Sequence, residues 1–308
     1  MHVEYENAIL DVTEDGIATI TLHRPKALNA LCGEINRDMM SAIQEIREDP
    51  SVRVLIMTGS ERAFAAGADL KEMLEVTPRQ ARDICQLAKD INELLESMPI
   101  PTIAAVGGFA FGGGFELALA CDFRVGGPRT TVSFPEAGLG IIPGANGMIR
   151  AAHIVGPSKA KELSMLNTMV SGEEAYRLGL LNWFVKGDAE LDAAAAEAKK
   201  AAKAAKKAGD EAAMAETKAA QKAAEAAAQK SEYDAIYGKA VEVAKQLCTK
   251  PARALESVKK VIYDAVNVNA QQGKLMETAE FALLFNTHDQ REGMTAFGEK
   301  RPPVYTNN

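Results

Sequence analysis

Two glutamates, Glu116 and Glu136, are the residues of this sequence best suited to acid–base chemistry. One phenylalanine separates Glu116 from the glycine-rich segment GGFAFGGG (107–114), and Glu136 lies in FPEAGLGIIPG (134–144). Two carboxylates that face one cleft can divide the work, because one removes a proton while the other delivers one. The pair therefore predicts acid–base catalysis.

The backbone near these glutamates suggests a second chemical function. AFAAGADLKEM (63–73) is a loop of small residues after a predicted buried strand, and the glycines at 112–114 lead into a helix. Glycines permit close backbone approach, and a helix N-terminus has free N–H groups at the positive end of its dipole. Two such N–H groups directed at one point would form an oxyanion hole for a carbonyl that gains negative charge.

The same residues also admit a purely structural interpretation. The glycines at 112–114 would then only allow tight packing of a helix on a strand. Glu116 would be a first-turn acid matched to the helix dipole, and Glu136 would be a solvated loop acid. The residues by themselves leave both interpretations open.

Several common catalytic and binding motifs are absent from the sequence. It contains no phosphate-binding P-loop, no G-x-G-x-x-G, no H-E-x-x-H and no G-x-S-x-G. The four histidines and four cysteines are scattered without the spacing of metal ligands. We therefore expect no metal site, no redox cofactor and no serine nucleophile, and we expect reduced thiols in an intracellular protein.

The composition is that of an ordinary soluble protein with an acidic balance. The 308 residues are 47% hydrophobic and 25% charged, and the net charge is −7. These values argue against disorder and against a nucleic-acid partner. No apolar run approaches the roughly 18 residues of a membrane span, and no signal peptide, transit peptide or peroxisomal tail is recognisable. We expect a cytoplasmic or mitochondrial matrix protein with no membrane partner.

Hydrophobic periodicity and turn residues predict the elements that position these segments. The predicted elements are strands at 9–12 and 17–22, a helix at 34–48, a buried strand at 54–57, a helix at 78–97, a strand at 102–106, a helix at 115–121, strands near 122–125 and 130–134, helices near 144–154 and 157–165, and a helix opened by a capping box at 171–174. Strands that alternate with helices indicate an α/β fold with mostly parallel strands.

An abrupt change in composition marks residues 189–230. These 42 residues contain 21 Ala, 8 Lys and 7 Asp or Glu, with no aromatic residue and one glycine. Alanine and lysine favour helices, and Gly209 followed by Asp210 is typical of a helix end and the N-cap of a second helix. We therefore predict a helical hairpin that buries little surface and projects from the body.

Five segments, in the same order, resemble the enoyl-CoA hydratase (crotonase) superfamily. HRPKALNALC (23–32) resembles its N-terminal coenzyme A segment, AFAAGADLKEM and FGGGFELALACDFRV its two oxyanion loops, FPEAGLGIIPG the loop with the second acid, and HDQREGMTAFGEKRPP (288–303) its C-terminal signature. The resemblance implies an α/β crotonase (ClpP-like) spiral of ββα units at 1–188. It also implies an Ala/Lys-rich insertion at 189–232 and a C-terminal helical oligomerisation region at 233–308.

The resemblance implies reversible hydration of a 2-trans-enoyl-CoA to a 3-hydroxyacyl-CoA. The N–H groups of Ala68 and Gly113 would bind the thioester oxygen. Glu116 would act as base on a water molecule that attacks the β-carbon, and Glu136 would deliver a proton to the α-carbon. Family members that only isomerise double bonds commonly lack one of the two glutamates, so the presence of both favours hydration.

The resemblance also implies contacts with coenzyme A, which is part of the substrate and not a separate cofactor. The residues within one subunit would be Lys26, Ala27, Leu28, Ala66, Asp69, Leu70 and Lys71. Lys26 and Lys71 would meet phosphates as point charges, or would simply be solvated. Phe297 and Lys300 would contact the coenzyme of a neighbouring subunit, with packing and solvation as their alternatives. The implied assembly is a homo-oligomer, either a trimer or a dimer of trimers.

Three alternatives remain open at the level of sequence. Two use the same scaffold: isomerisation of an enoyl-CoA, and hydration of a methylglutaconyl-type thioester, with which the EKRPP ending is compatible. The segment from Asn146 to Arg150 departs from the family's Gly-Gly-Thr-Gln-Arg and bears on acyl-chain preference. The third alternative is RNA or protein binding through the insertion. Residues 189–230 carry a net charge of only +1, which is more typical of a solvated projection.

Overall fold

The computed structural model describes residues 1–208 and 211–307. Its strands are β1 (His2–Glu4), β2 (Ala8–Val12), β3 (Ile17–Leu22), β4 (Val54–Thr58), β5 (Ala63–Ala65), β6 (Thr102–Ala105), β7 (Phe109–Phe111), β8 (Phe123–Gly126), β9 (Thr131–Ser133), β10 (Val170–Ser171) and β11 (Trp183–Phe184). They form a seven-stranded sheet in the order β1-β2-β3-β4-β6-β8-β11 and a four-stranded sheet in the order β10-β9-β7-β5.

The helices surround these two sheets and confirm most of the predicted elements. They are α1 (Gly33–Glu48), α2 (Leu70–Met73), α3 (Pro78–Glu96), α4 (Gly113–Ala120), α5 (Gly147–Met165), α6 (Gly172–Arg177), α7 (Ala189–Ala208), α8 (Glu211–Cys248), α9 (Ala252–Ala265), α10 (Ala270–Leu284) and α11 (His288–Glu299). Short 3₁₀ helices occupy Pro25–Ala27 and Glu136–Leu139. The two helices predicted around 156 join as α5, with a kink at Gly156. Within the described residues, no helix is both long and apolar enough to cross a membrane.

Strand β4 shows why the central sheet is so apolar. It pairs in parallel with β3 on one side and β6 on the other, and all five of its residues are buried. Leu55 and Met57 pack into a cluster that includes α1, whereas Val54 and Ile56 pack against the second half of α8. Both faces of the sheet are therefore covered, which is typical of parallel strands with continuous apolar sequence.

Helices α7 and α8 form the predicted hairpin. They run antiparallel, since the N–H of Asp188 at the start of α7 donates to Oγ of Ser231 (2.8 Å) and the other ends of the helices, Ala208 and Glu211, adjoin in sequence. Only Ala195 of α7 is buried, as expected for a projecting hairpin. The turn residues that we predicted, at 209–210, lie outside the described residues.

Ion pairs hold the base of this hairpin to the body. Nη1 of Arg129 lies 2.8 Å from carboxylate oxygens of both Asp192 and Glu232, and the N–H of Arg129 donates to the second oxygen of Glu232 (2.7 Å). Because Glu232 is only 2% exposed, these partners offset the cost of burying its charge. Helix α8 continues without a break through residue 232 into the segment that covers the sheet.

The glycine-rich segment differs from the predicted loop. Strand β7 lies within it and pairs in parallel with β9, and α4 begins at Gly113, two residues earlier than expected. Gly112 joins the two elements with φ 49° and ψ −123°, a conformation that favours glycine. The chain therefore changes from strand to helix within one residue, which places the N-terminus of α4 at the end of the small sheet.

Candidate active site

A pocket of about 150 Å³ contains the residues that we predicted to be catalytic. Ala68, Gly113, Glu116 and Glu136 all contribute to its wall. Most of the remaining wall is apolar and comes from the segment after β5, from α3, and from the chain between the 3₁₀ helix at Glu136 and α5. Apolar walls with a few converging polar groups are typical of small-molecule sites.

Two backbone N–H groups come together at one side of this pocket. Leu31 pairs with the segment after β5. Its N–H donates to the carbonyl of Gly67 (2.7 Å), and its carbonyl accepts the backbone N–H of Asp69 (3.0 Å). In such a parallel pairing the intervening N–H, that of Ala68, points away from the partner strand. Gly113 is the first residue of α4, so its N–H has no partner within the helix. A Cβ added to Gly113 would lie 3.9 Å from the nitrogen of Ala68, so the two groups are neighbours.

Glu116 is held in one orientation by backbone donors. It lies in the first turn of α4 and is 2% exposed. Its Oε1 accepts hydrogen bonds from the N–H groups of Ala145 and Gly147, both at 2.8 Å. Burial raises the pKa of Glu116, and these two N–H groups, together with the charge of Arg150, act in the opposite direction. The geometry suits a base that keeps one fixed position.

Glu136 is the less satisfied of the two carboxylates. It is 9% exposed at the start of the 3₁₀ helix, and its Oε2 is buried without a hydrogen-bond partner among the described residues. Burial raises the pKa of Glu136 to about 7, and the negative charge of Glu116 adds to this effect. Near neutral pH this carboxyl group can therefore hold a proton and release it, as a general acid must.

Two glycines make room for the carboxylates. A Cβ on Gly112 would lie 2.3 Å from Oε1 of Glu136, and a Cβ on Gly147 would lie 2.4 Å from Cγ of Glu116. Neither contact is sterically possible without movement of the glutamate. The predicted role of glycine in helix packing is thus incomplete, because these glycines also set the positions of both acids.

Five of the residues predicted to contact coenzyme A lie in the wall of the pocket or in the segment next to it. Ala66 and Leu70 line the pocket. Lys26 and Ala27 lie in the adjoining 3₁₀ helix, and the carbonyl of Leu28 accepts the N–H of Ala66 (3.1 Å), so the two segments are in contact.

Asp69 and its neighbours stabilise the local structure. One oxygen of Asp69 caps α2 by accepting the N–H of Lys71 (3.0 Å), and the other pairs with Arg24 at 2.7 Å. The Arg24 guanidinium lowers the pKa of Asp69. Phe297, 87% exposed on α11, and Lys300 at the end of that helix are not part of the pocket wall.

Sequence reasoning missed the groups that hold Glu116. The two donors from Ala145 and Gly147 are backbone groups, which leave no residue-type signature apart from the missing side chain of Gly147. Asn146 has φ 68°, a left-handed conformation that asparagine tolerates, so it can replace the glycine expected there from the family pattern. Arg150 and Asn92, which contact the carbonyl of Ala145, were also missed as parts of the site.

Comparison with known proteins gives consistent similarities over nearly the whole chain. The family model for enoyl-CoA hydratase/isomerase matches residues 12–235 and 231–308. The crotonyl-CoA hydratase of Syntrophomonas wolfei is 34% identical over 298 residues, covering 96% of each protein. The short-chain-enoyl-CoA hydratase of Clostridium acetobutylicum is 32% identical over 300 residues, covering 97% of each. The crystal structure of enoyl-CoA hydratase from Bacillus anthracis matches with a TM-score of 0.80 at 29% identity, covering 98% of this chain and 100% of that one.

Proposed function

The chain belongs to the enoyl-CoA hydratase/isomerase family, and we propose that its pocket hydrates a 2-trans-enoyl-CoA reversibly to a 3-hydroxyacyl-CoA. The observation that carries this proposal is the presence of two buried glutamates with raised pKa values in one pocket beside two neighbouring backbone N–H groups. A single acid would suffice for some proton transfers. Addition of water across a double bond needs both a base for the water and an acid for the carbon.

The proposed reaction begins with the thioester oxygen between the N–H groups of Ala68 and Gly113. As Glu116 takes a proton from water, the hydroxyl adds to the β-carbon and negative charge moves onto the thioester oxygen. The two N–H groups stabilise this enolate. Glu136 then gives its proton to the α-carbon. Glu116 has gained one proton and Glu136 has lost one, so the pair holds a single proton before and after the reaction.

Hydration of crotonyl-CoA tests this function directly, with loss of the enoyl thioester absorbance as the measurement. We expect crotonyl-CoA to be turned over faster than a Δ3-enoyl-CoA, because the pocket contains both glutamates that hydration needs. We also expect it to be preferred to a methylglutaconyl-type thioester, because the pocket of about 150 Å³ is small and mostly apolar. Exclusive turnover of the Δ3-enoyl-CoA would favour isomerisation. Preference for the methylglutaconyl-type thioester would favour hydration of that branched substrate as the function.

The pH dependence should follow the single proton shared by the two carboxylates. Hydration needs Glu136 protonated, and its pKa is about 7, so kcat/KM should fall as the pH rises above about 7. It should also fall in acid, where Glu116 takes up a proton and no longer acts as base. The expected profile is a bell whose two apparent pKa values belong to the pair. A profile that stays flat from neutral to alkaline pH would contradict the role of Glu136 as the acid.

The coenzyme A moiety is proposed to lie along the segments containing Lys26 and Lys71. Phe297 and Lys300 are proposed to reach the coenzyme of a neighbouring subunit. The described part of the hairpin, α7 with residues 211–230 of α8, contributes no residue to the pocket, so the proposed reaction does not require it.

We also propose that the protein is a homo-oligomer, a trimer or a dimer of trimers. Support comes from the C-terminal helices, which expose many large apolar side chains: Val258, Ile262, Val266, Leu275, Phe281, Leu283, Phe285, Met294 and Phe297. So many large exposed apolar side chains in one region of the chain are typical of a protein–protein interface. The region from 233 to 308 is therefore proposed to contain the subunit contacts.

A further inference from the structure

The turn at 144–147 holds Glu116 through its N–H groups and is itself held through a carbonyl. The carbonyl oxygen of Ala145 accepts a hydrogen bond from Nη1 of Arg150 at 2.6 Å and another from Nδ2 of Asn92 at 3.1 Å. Ala145 therefore bonds the carboxylate of Glu116 through its N–H and two side chains through its C=O. Any displacement of Ala145 would displace the carboxylate as well.

Arg150 is fixed in turn by Glu96. Nε of Arg150 lies 2.6 Å from Oε1 of Glu96, and Nη2 contacts Oε2, so the pair is bidentate. Asn92 and Glu96 are four residues apart on α3 and share one face of that helix. Asn92 and Arg150 are 3% and 8% exposed. Side chains of two helices, α3 and α5, thus hold one residue of the turn.

We propose that Asn92, Glu96 and Arg150 form a positioning clamp, which fixes the turn at 144–147 and through it the catalytic orientation of Glu116. This inference rests on the proposed function, because it assigns the clamp to alignment of the base. The three side chains do not line the catalytic pocket. Glu96 and Arg150 instead line a separate cavity of about 340 Å³ between α5 and α9. They are therefore positioning residues and make no contact with substrate.

The clamp also contributes to the charge around Glu116. The guanidinium of Arg150 lowers the pKa of Glu116 against the effect of burial, and Glu96 partly cancels that charge. Other titratable groups lie near this region: Glu136 on the 3₁₀ helix, Cys85 of α3 against Gly144, and, in the wall of the cavity beyond Arg150, Cys121, Asp122, Arg124, His153, Lys259 and Tyr263. These residues are not substituted in the variants below, so a shift of the pH profile would be attributed to the clamp residues.

The test is crotonyl-CoA hydration, measured over a range of pH, by the double variant Glu96→Gln/Arg150→Met. This variant removes both charges together, so no unpaired charge remains buried. We expect kcat to fall roughly 10- to 100-fold because the base is misplaced, with KM nearly unchanged. The acidic limb of kcat/KM should move to higher pH, since Glu116 loses a neighbouring cation. Arg150→Lys keeps the charge without the bidentate geometry, so kcat should fall while the acidic limb stays in place.

If the double variant does not fold, the variant Asn92→Leu tests the proposed clamp. It removes one donor to Ala145 without changing any charge, so we expect a lower kcat and an unchanged acidic limb. The matched control, Glu174→Gln/Arg177→Met, makes the same substitutions at an exposed ion pair and should behave as wild type.

The outcomes separate this inference from the proposed function. Wild-type protein that does not hydrate crotonyl-CoA would overturn the function itself. If the wild type is active but the folded double variant and Asn92→Leu both keep wild-type kcat and pH dependence, only the proposed clamp is overturned. With an unfolded double variant, a wild-type kcat for Asn92→Leu is sufficient to overturn it.

Discussion

Replacing Glu116 by glutamine should lower kcat for crotonyl-CoA hydration by roughly 10²- to 10⁴-fold, with little change in KM. Glutamine keeps the size of the side chain, and its carbonyl oxygen can still accept the N–H groups of Ala145 and Gly147. The fold and the shape of the pocket should therefore persist. What disappears is the ability to take a proton from water, which is needed only in the transition state, so the loss should fall on kcat.

Glu136→Gln should produce a loss of similar size for a different reason. The amide resembles the protonated carboxyl group in shape but cannot deliver a proton to carbon. Glu173→Gln, at an exposed position in the first turn of α6, is the matched control and should keep full activity. Wild-type turnover in both the Glu116 and the Glu136 variant would overturn the catalytic assignment. Loss in only one of them would indicate single-acid chemistry of the isomerase type.

The parts of the site that the sequence predicts are those with an informative residue type or a local pattern. Glu116 and Glu136 were predicted because carboxylates beside glycine-rich segments are informative residue types, and the structure brings them into one pocket. Strand β4 was predicted for a similar reason, since a fully apolar run has few structural explanations. Side-chain chemistry and hydrophobic periodicity are both properties that one residue or one short segment carries by itself.

The groups that were missed depend on contacts between distant segments. The N–H groups that hold Glu116 lie about 30 residues further along the chain, and every residue except proline has such a group. Asn92 and Glu96 are unremarkable polar residues on an amphipathic helix until α5 packs beside them. The path of α8 was also missed, because its alanine-rich outer half and its core-covering inner half differ in composition but belong to one helix.

Gly113→Pro should lower kcat by roughly 10²- to 10³-fold, because it removes one of the two N–H groups that stabilise the enolate. Proline is well tolerated at the first position of a helix, where the N–H has no partner in the helix. A Cβ at this position would lie 3.4 Å from Cδ1 of Leu31, a contact that a flexible side chain can adjust. The variant should therefore fold, and thermal unfolding together with hydration kinetics would establish both points.

Gly113→Ala is the control that isolates the N–H group from the added carbon. Alanine brings the same Cβ toward Leu31 but keeps the N–H, so its kcat should stay close to that of the wild type. Because the negative charge on the thioester oxygen develops in the transition state, kcat of the proline variant should fall by a larger factor than its KM rises. If the two variants unfolded at the same temperature and hydrated crotonyl-CoA equally fast, the oxyanion would have to be stabilised without Gly113. A loss confined to the proline variant would instead assign the stabilisation to the first N–H of α4.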